Sequence, residues 1–193
     1  MTPEQFKTNW NKIYPDSYPI DYELKTIFNN RWFRIHSLPD SKRYAENDDE
    51  YKIILNRQNR LISDLFYSND FFIVLGFYNY DLSSPLTDDY FDLDKFQKID
   101  TLALHKIRPD EYQDDEVYYE IYMKPEKWES DKFNDLLTKI ADSEIRAMFV
   151  NSTKNITVVP YDGGMDIILP DTKTRDDFKI KYKDWLSSRE DGL

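Results

Sequence analysis

The last third of the chain decides the fold, and its central stretch reads IRAMFVNSTKNITVVPYDGGMDIIL over residues 145–169. Apolar, β-branched and aromatic residues dominate residues 145–150 and 156–159, and a polar run separates the two. Such runs on either side of turn-forming residues are typical of an antiparallel hairpin. The Asp162-Gly163-Gly164 sequence is a strong turn signal, so we expect residues 165–169 to return as a further strand.

Outward from this hairpin, the spacing of apolar residues predicts the remaining elements. Strands are predicted at residues 31–36, 71–75, 101–107 and 116–123, and helices near residues 3–13, from Asp48 onward, after Trp128 and after Pro170. These patterns predict an α+β fold, in which a mostly antiparallel sheet of about five or six strands packs with three or four helices, including N-terminal and C-terminal helices. The length suits a single domain over residues 1–193, with residues 145–193 as its C-terminal hairpin and helix.

The composition excludes several classes of protein. The chain has 193 residues, 40% of them hydrophobic and 16% aromatic, which is unlike a disordered chain. Its formal charge of −11 disfavours nucleic acid and anionic membranes as partners. The absence of cysteine excludes disulfides, thiolate metal sites and cysteine nucleophiles. With no apolar stretch of membrane-spanning length, no signal-peptide pattern and no lipidation motif, we expect a cytoplasmic protein.

Recognisable catalytic machinery is missing from the sequence. His36 and His105 are the only histidines, and we expect packing or surface roles for both. The four glycines form neither a phosphate-binding loop nor a dinucleotide fingerprint. We therefore predict no catalytic residue, no metal and no cofactor. Asp162 and Asp166 flank the Gly-Gly turn and could form a carboxylate pair, but the simpler interpretation is that Asp162 shapes the turn while Asp166 faces solvent.

The charge is concentrated in one part of the chain, residues 81–116, which we call the acidic segment. It holds eleven acidic and four basic residues, a net charge of −7. Acids mixed with exposed aromatic rings suit a surface that binds a basic protein, whereas the alternative is a solvated loop with its rings packed into the core. The predicted partner-binding residues are Asp88, Asp89, Asp92, Asp94, Asp114, Asp115, Glu116, Tyr90 and Tyr112.

A short motif near the carboxyl end resembles a bacterial family known only as a domain of unknown function. The matching residues read PYDGGMDII over 160–168 and KYKDWLS over 181–187. Relatives typically carry a Tyr-Asp-Gly-Gly or Tyr-Asp-Asp-Arg-Gly turn, and Gly163 stands where many of them have an acid, so a role for that side chain does not transfer. The motif residues, which are either structural or binding residues, are Tyr161, Asp162, Gly163, Gly164, Asp166 and Trp185. In the structural interpretation, they lock the final hairpin onto the final helix.

The resemblance and the charge together suggest a function. Members of the family resemble the small acidic immunity proteins found beside polymorphic toxin genes, which implies a binding role without enzymatic activity. We therefore expect an immunity protein, or antitoxin, that neutralises a basic, nuclease-like bacterial toxin domain. Two alternatives stay open: a carboxylate- or metal-dependent enzyme with a site near Asp162 and Asp166, and a regulatory subunit of a larger complex. The oligomeric state is not predicted.

Overall fold

The computed structural model describes residues 1–67, 69–112, 116–187, 189 and 192, and these contain six α-helices and seven strands. The helices are α1 (Pro3–Ile13), α2 (Leu24–Ile27), α3 (Asp48–Phe66), α4 (Leu104–Ile107), α5 (Asn134–Ala141) and α6 (Thr172–Lys181). The strands are β1 (Trp32–His36), β2 (Asp70–Asn79), β3 (Gln97–Ala103), β4 (Tyr118–Lys127), β5 (Met148–Asn151), β6 (Ile156–Tyr161) and β7 (Gly164–Ile168).

All seven strands join one sheet in the order β1-β7-β6-β5-β2-β4-β3, and every neighbouring pair is antiparallel. The C-terminal hairpins β5-β6-β7 form as the sequence predicts. The strand β1 pairs with the far side of β7, from Trp32 opposite Ile168 to His36 opposite Gly164. A strand from the first fifth of the chain thus forms the sheet edge beside the C-terminal motif.

The sheet is buried on both sides, and each side has its own set of helices. Side chains of successive residues in a strand alternate between the two sides. On the α3 face, α3, α5 and Tyr182 pack against a cluster that includes Phe71, Ile73 and Leu75 of β2. On the α1 face, α1, α2 and α4 pack against a second cluster that includes Val74 of β2.

Local signals explain where the main helices begin. Thr2 and Gln5 form a reciprocal capping box at the start of α1, and Asn47 accepts the backbone N–H of Glu50 at the start of α3. Asp171 caps α6 through the backbone N–H of Thr174. Within the described part of the chain, no helix combines the length and apolar character needed to cross a membrane.

Three predictions about the elements need correction. Every predicted strand segment joins the sheet, so the estimate of five or six strands was too low. The single-turn helices α2 and α4 raise the helix number above three or four. The strand predicted over residues 101–107 was half wrong, because β3 covers Gln97–Ala103 and the chain then turns into α4, where the Leu104 amide bonds to the Val117 carbonyl.

Candidate functional site

A cavity of about 530 Å³ opens where the sheet splits between β5 and β6. The β5–β6 pairing ends at Phe149 opposite Val158. Beyond that point Pro160 has no N–H to offer a neighbouring strand. Ser143, Ile145 and Arg146 therefore line the cavity together with residues 159–163 instead of pairing with them. The volume lies within the range of small-molecule sites, roughly 300–1,000 Å³.

Strand register places the side chains of Arg34, His36 and Asp166 on the α1 face beside this cavity. Arg34 of β1 lies opposite Asp166 of β7, and His36 lies opposite Gly164. Their neighbours in β1, Phe33 and Ile35, belong to the core cluster of the α3 face. Because side chains alternate along a strand, Arg34 and His36 share the cavity side.

Asp166 is a buried acceptor for two side chains of β1. Arg34 donates to both of its oxygens, from Nε at 2.8 Å and from Nη2 at 2.9 Å, and Trp32 Nε1 donates at 2.8 Å. The Arg34 and Asp166 side chains are each only 11% exposed. Arg34 also lies over the ring of Tyr161, 4.7 Å from its centroid. The bidentate pair and the stacked ring hold the guanidinium in one orientation.

Asp162, a second lining carboxylate of the cavity, holds three side chains together. Its Oδ2 accepts hydrogen bonds from Arg43 Nε at 2.7 Å, Ser143 Oγ at 2.8 Å and the Tyr44 hydroxyl at 2.9 Å. Burial raises the pKa of the Asp162 carboxyl, but these donors, Arg43 first, outweigh it and hold the pKa below its ordinary value. Asp162 therefore stays ionised and ties the loop at residues 43–44 to the end of α5.

At both glycines of the motif, a side chain would collide with neighbouring atoms. A Cβ on Gly164 would lie 1.9 Å from the carbonyl oxygen of Ile35, so no other residue fits at this point of the β1–β7 pairing. A Cβ on Gly163 would lie 2.9 Å from the ring of Tyr161. The Tyr161 ring thus crosses the bare backbone of both glycines and reaches Arg34, and burial raises the pKa of its hydroxyl.

His36 is a lining residue of the cavity and carries a polar atom with no hydrogen-bond partner among the described residues. The residue is 91% buried, and Nε2 has no hydrogen-bond partner among the described residues. Burial lowers the pKa of the imidazole, and the nearby charges of Arg34 and Arg57 lower it further. The ring is therefore neutral at pH 7, and its two nitrogens divide into one donor and one acceptor.

The α2 side of the cavity adds further charged groups. Lys25 of α2 has no ion-pair partner within the described part of the chain, and Arg146 is 68% exposed with one contact, 3.5 Å from Nε to Asp21 Oδ2. The charged lining residues are Lys25, Arg34, Arg43, Arg146, Asp21, Asp162 and Asp166. With His36 neutral, these four cations and three anions give the cavity a net charge of +1.

The sequence-based interpretations of the motif carboxylates were wrong in detail. Asp166 does not face solvent, because it is 8% exposed and bonded to Arg34. Asp162 does more than shape a turn, since its carboxylate gathers three side chains from elsewhere in the chain. Each motif carboxylate already neutralises an arginine. Among the described residues, no group of three or more histidines and acids is placed to hold a metal ion.

Trp185 lies apart from the rest of the motif. It follows α6 in a single 3₁₀ turn and packs against the α3-face cluster, with Arg57 and Arg60 over its ring at 5.3 and 5.8 Å. Tyr161, by contrast, lies with Arg34 on the cavity side. The described ring contacts thus join Trp185 to α3 and Tyr161 to β1, and the predicted lock between the hairpin and the final helix stays a prediction.

The first half of the acidic segment, residues 81–96, connects β2 to β3 and has mixed roles. Asp88 shapes the connection by accepting the backbone N–H groups of Tyr90 and Phe91, and Asp92 pairs with Lys95 at 3.0 Å. Asp89 and Asp94 are exposed. Tyr90 is 49% exposed, under Lys139 of α5 at 4.4 Å from its ring centroid. The acids here serve partly as local structure.

The second half of the acidic segment lies elsewhere on the molecule. Tyr112 packs against the α1-face cluster, whereas Phe91 packs against the α3-face cluster. Glu116 is exposed just before β4, and Asp114 and Asp115 lie outside the described residues. Among the described residues, the two halves of the acidic segment therefore pack on opposite faces of the sheet, and partner binding by these residues stays a prediction.

Sequence reasoning missed the cationic residues of the cavity. One local signal was present, since Trp32, Arg34 and His36 alternate with the apolar Phe33 and Ile35. That alternation places the polar side chains on one side of a strand. Nothing local indicates that the strand pairs with β7, more than 120 residues away in sequence.

Fold and site together define an α+β protein with an antiparallel seven-stranded sheet and an arginine-rich cavity at the motif end of the sheet. The chain belongs to the family described as domain of unknown function DUF3885, whose model matches residues 20–190. This match confirms the predicted membership of a family of unknown function and extends far beyond residues 145–193. No curated protein and no solved structure matches the chain significantly.

Proposed function

We propose that the chain is a binding protein that holds a small anionic ligand in the cavity between β5 and β6. The observation that carries this proposal is the charge of the cavity, +1 in a chain whose formal charge is −11. Random placement of charges in so acidic a chain would give a negative cavity. A concave, positively charged site attracts anions and repels cations.

The site is organised before any ligand arrives. Asp166 fixes Arg34, and Asp162 fixes Arg43. Binding groups that are already held by neighbours lose little conformational entropy when a ligand binds. The buried carboxylates therefore support the arginines in a binding site and need no catalytic role.

Donors remain free for a ligand. Lys25 has no ion pair within the described residues, Arg146 has one contact at 3.5 Å, and Arg43 bonds to Asp162 through Nε and Nη2. Anions form their strongest hydrogen bonds with charged donors of this kind. Lys25, Arg43 and Arg146 all line the cavity, so an anion bound there would lie among charged donors from three separate parts of the chain.

The test is calorimetric titration of the protein with acetate, benzoate, inorganic phosphate and the neutral amide benzamide. We expect at least one anion to bind and benzamide to bind more weakly. Lys25→Gln and Arg146→Gln should each weaken the anion about tenfold, the loss of one charged hydrogen bond. The matched control is Lys106→Gln, an exposed lysine on α4 outside the cavity. Equal affinity in all three variants would refute the proposal.

A second candidate function is the immunity role, and an exposed patch on the β2–β3 connection supports it. Tyr80 is 69% exposed, Leu82 46% and Tyr90 49%, with Asp81 and Asp89 beside them. Exposed rings with neighbouring acids suit a basic protein surface, because the rings anchor the partner and the charge speeds its approach. The partner would be the basic domain of a bacterial toxin in the cytoplasm.

This second proposal has a kinetic test. The probe is the protein encoded beside this gene, with association measured by surface plasmon resonance at low salt. We expect Asp89→Lys combined with Asp94→Lys to slow association at least tenfold. Asp88 is left intact because it holds the backbone of its own loop. Unchanged association, or no binding of the wild-type chain, would rule out this role for the patch.

A further inference from the structure

The cavity joins its charge to an apolar and aromatic lining. Ile145 and Val159 supply apolar walls on the two sides of the split, and Tyr22 and Tyr161 add aromatic rings. A ligand that fills this space must therefore bury an apolar body as well as an anionic group. A bare inorganic ion would leave the apolar walls facing water.

The charge balance limits the charge of the ligand. The lining carries +1, so a ligand with one negative charge neutralises the cavity, while a dianion leaves a net negative charge in it. An uncompensated charge in a partly buried site is unfavourable, because the surrounding chain is itself strongly negative. The net charge of the lining therefore favours a ligand with one negative charge over a ligand with two.

His36 adds a directional contact that suits a carboxylate. Its Nε2 is buried without a partner among the described residues, and His36 is one of the residues that line the cavity, so a small turn of the ring would present Nε2 to a ligand. A neutral imidazole with its proton on Nε2 donates one hydrogen bond to a carboxylate oxygen. That bond would satisfy a polar atom whose isolation otherwise costs free energy.

We propose that the ligand of the cavity is a monocarboxylate with an apolar or aromatic body, held by Lys25 and Arg146 with Nε2 of His36 donating to the carboxylate. This inference rests on the proposed anion-binding function and specifies its ligand class.

The experiment compares three probes with the same ring: benzoate, phenyl phosphate and benzamide. Phenyl phosphate is largely a dianion at pH 7.5, because the second pKa of a phosphate monoester is about 6. Binding is followed by NMR titration of the backbone amides at millimolar probe concentration. We expect benzoate to bind at least tenfold more tightly than either of the other probes, with shifts at the Gly163 and His36 amides, which line the cavity.

Three variants separate the alternatives. Asp21→Asn raises the charge of the cavity lining to +2, so the preference should shift toward phenyl phosphate at least tenfold. His36→Phe removes the donor and should weaken benzoate, while His36→Gln, which keeps an N–H donor, should retain part of the affinity. Lys106→Gln again serves as the control.

Each outcome decides at least one of the two claims, the anion site and its monocarboxylate ligand. Tighter binding of phenyl phosphate than benzoate, lost in Lys25→Gln, would overturn the monocarboxylate and leave the anion site standing. Equal binding of benzamide and benzoate would overturn both claims, and so would the absence of binding by all three probes. An unchanged preference in Asp21→Asn would show that the charge count does not select the ligand.

Discussion

Replacing Asp166 with asparagine tests the central ion pair of the site. The carboxylate accepts two hydrogen bonds from Arg34 and one from Trp32, and both charged side chains are 11% exposed. Removing one partner of a buried ion pair typically costs about 3–5 kcal/mol, because the other charge stays buried. Asparagine keeps one acceptor oxygen, so we expect the lower end, about 3 kcal/mol.

That loss of stability is large enough to measure and small enough for the variant to remain folded at room temperature. In a chain of this length, each kcal/mol lowers the melting temperature by roughly 2–4 °C, so Asp166→Asn should melt about 6–12 °C below wild type. Urea unfolding followed by tryptophan fluorescence should show a lower midpoint with an unchanged slope. The control is Asp177→Asn, which breaks an exposed pair with Lys173 on α6 and should leave the midpoint unchanged.

A double variant distinguishes charge from packing. Arg34→Met with Asp166→Val removes both charges at a more similar total volume, and replacing a buried pair in this way is often neutral for stability. We expect it to recover most of the stability lost in Asp166→Asn. If Asp166→Asn instead unfolds at the same urea concentration as the Asp177 control, the pair is not buried as described and the account of a preorganised site fails.

Two further predictions concern the glycines and the pH dependence. Gly164→Ala should cost about 3 kcal/mol or more, because its Cβ meets the Ile35 backbone, while Gly76→Ala should cost less because its Cβ meets the Tyr119 side chain; equal urea midpoints for the two would contradict this. Because its pKa is lowered in the folded state, Asp162 contributes stability above the unfolded value of about 4 and loses it as pH falls through the folded value. Asp162→Asn should therefore reduce the fall in stability at acid pH, measured by urea unfolding. An unchanged fall would show that the three donors do not lower the pKa of Asp162.

Local patterns predicted most of the elements. The β-branched and aromatic runs predicted the hairpins of β5, β6 and β7, and the apolar spacing after Asp48 predicted α3. These features depend on neighbours within about ten residues, where periodicity carries the information. The error at residues 104–107 came from a short apolar run that fits a strand and a helical turn equally well.

Long-range pairing is what local patterns could not supply. Arg34 reaches Asp166 only because β1 adds to the edge of β7, and Arg43 reaches Asp162 from a loop with no regular structure. The net charge of the acidic segment likewise did not predict where its residues lie, since the described parts of its two halves pack on opposite faces of the sheet. Net charge along the sequence describes a surface only when the fold keeps the segment on one side.

The acidic exterior and the cationic cavity act on ligands at different ranges. Charges on the exterior act over about 8–10 Å at physiological ionic strength, whereas the cavity acts on a ligand already inside it. A polyanion such as a nucleic acid would meet many surface carboxylates at once and be repelled. A small monoanion meets that repulsion with a single charge and then gains the contacts of Lys25 and Arg146. Added salt should therefore affect its association rate little, since repulsion outside and attraction inside are both screened.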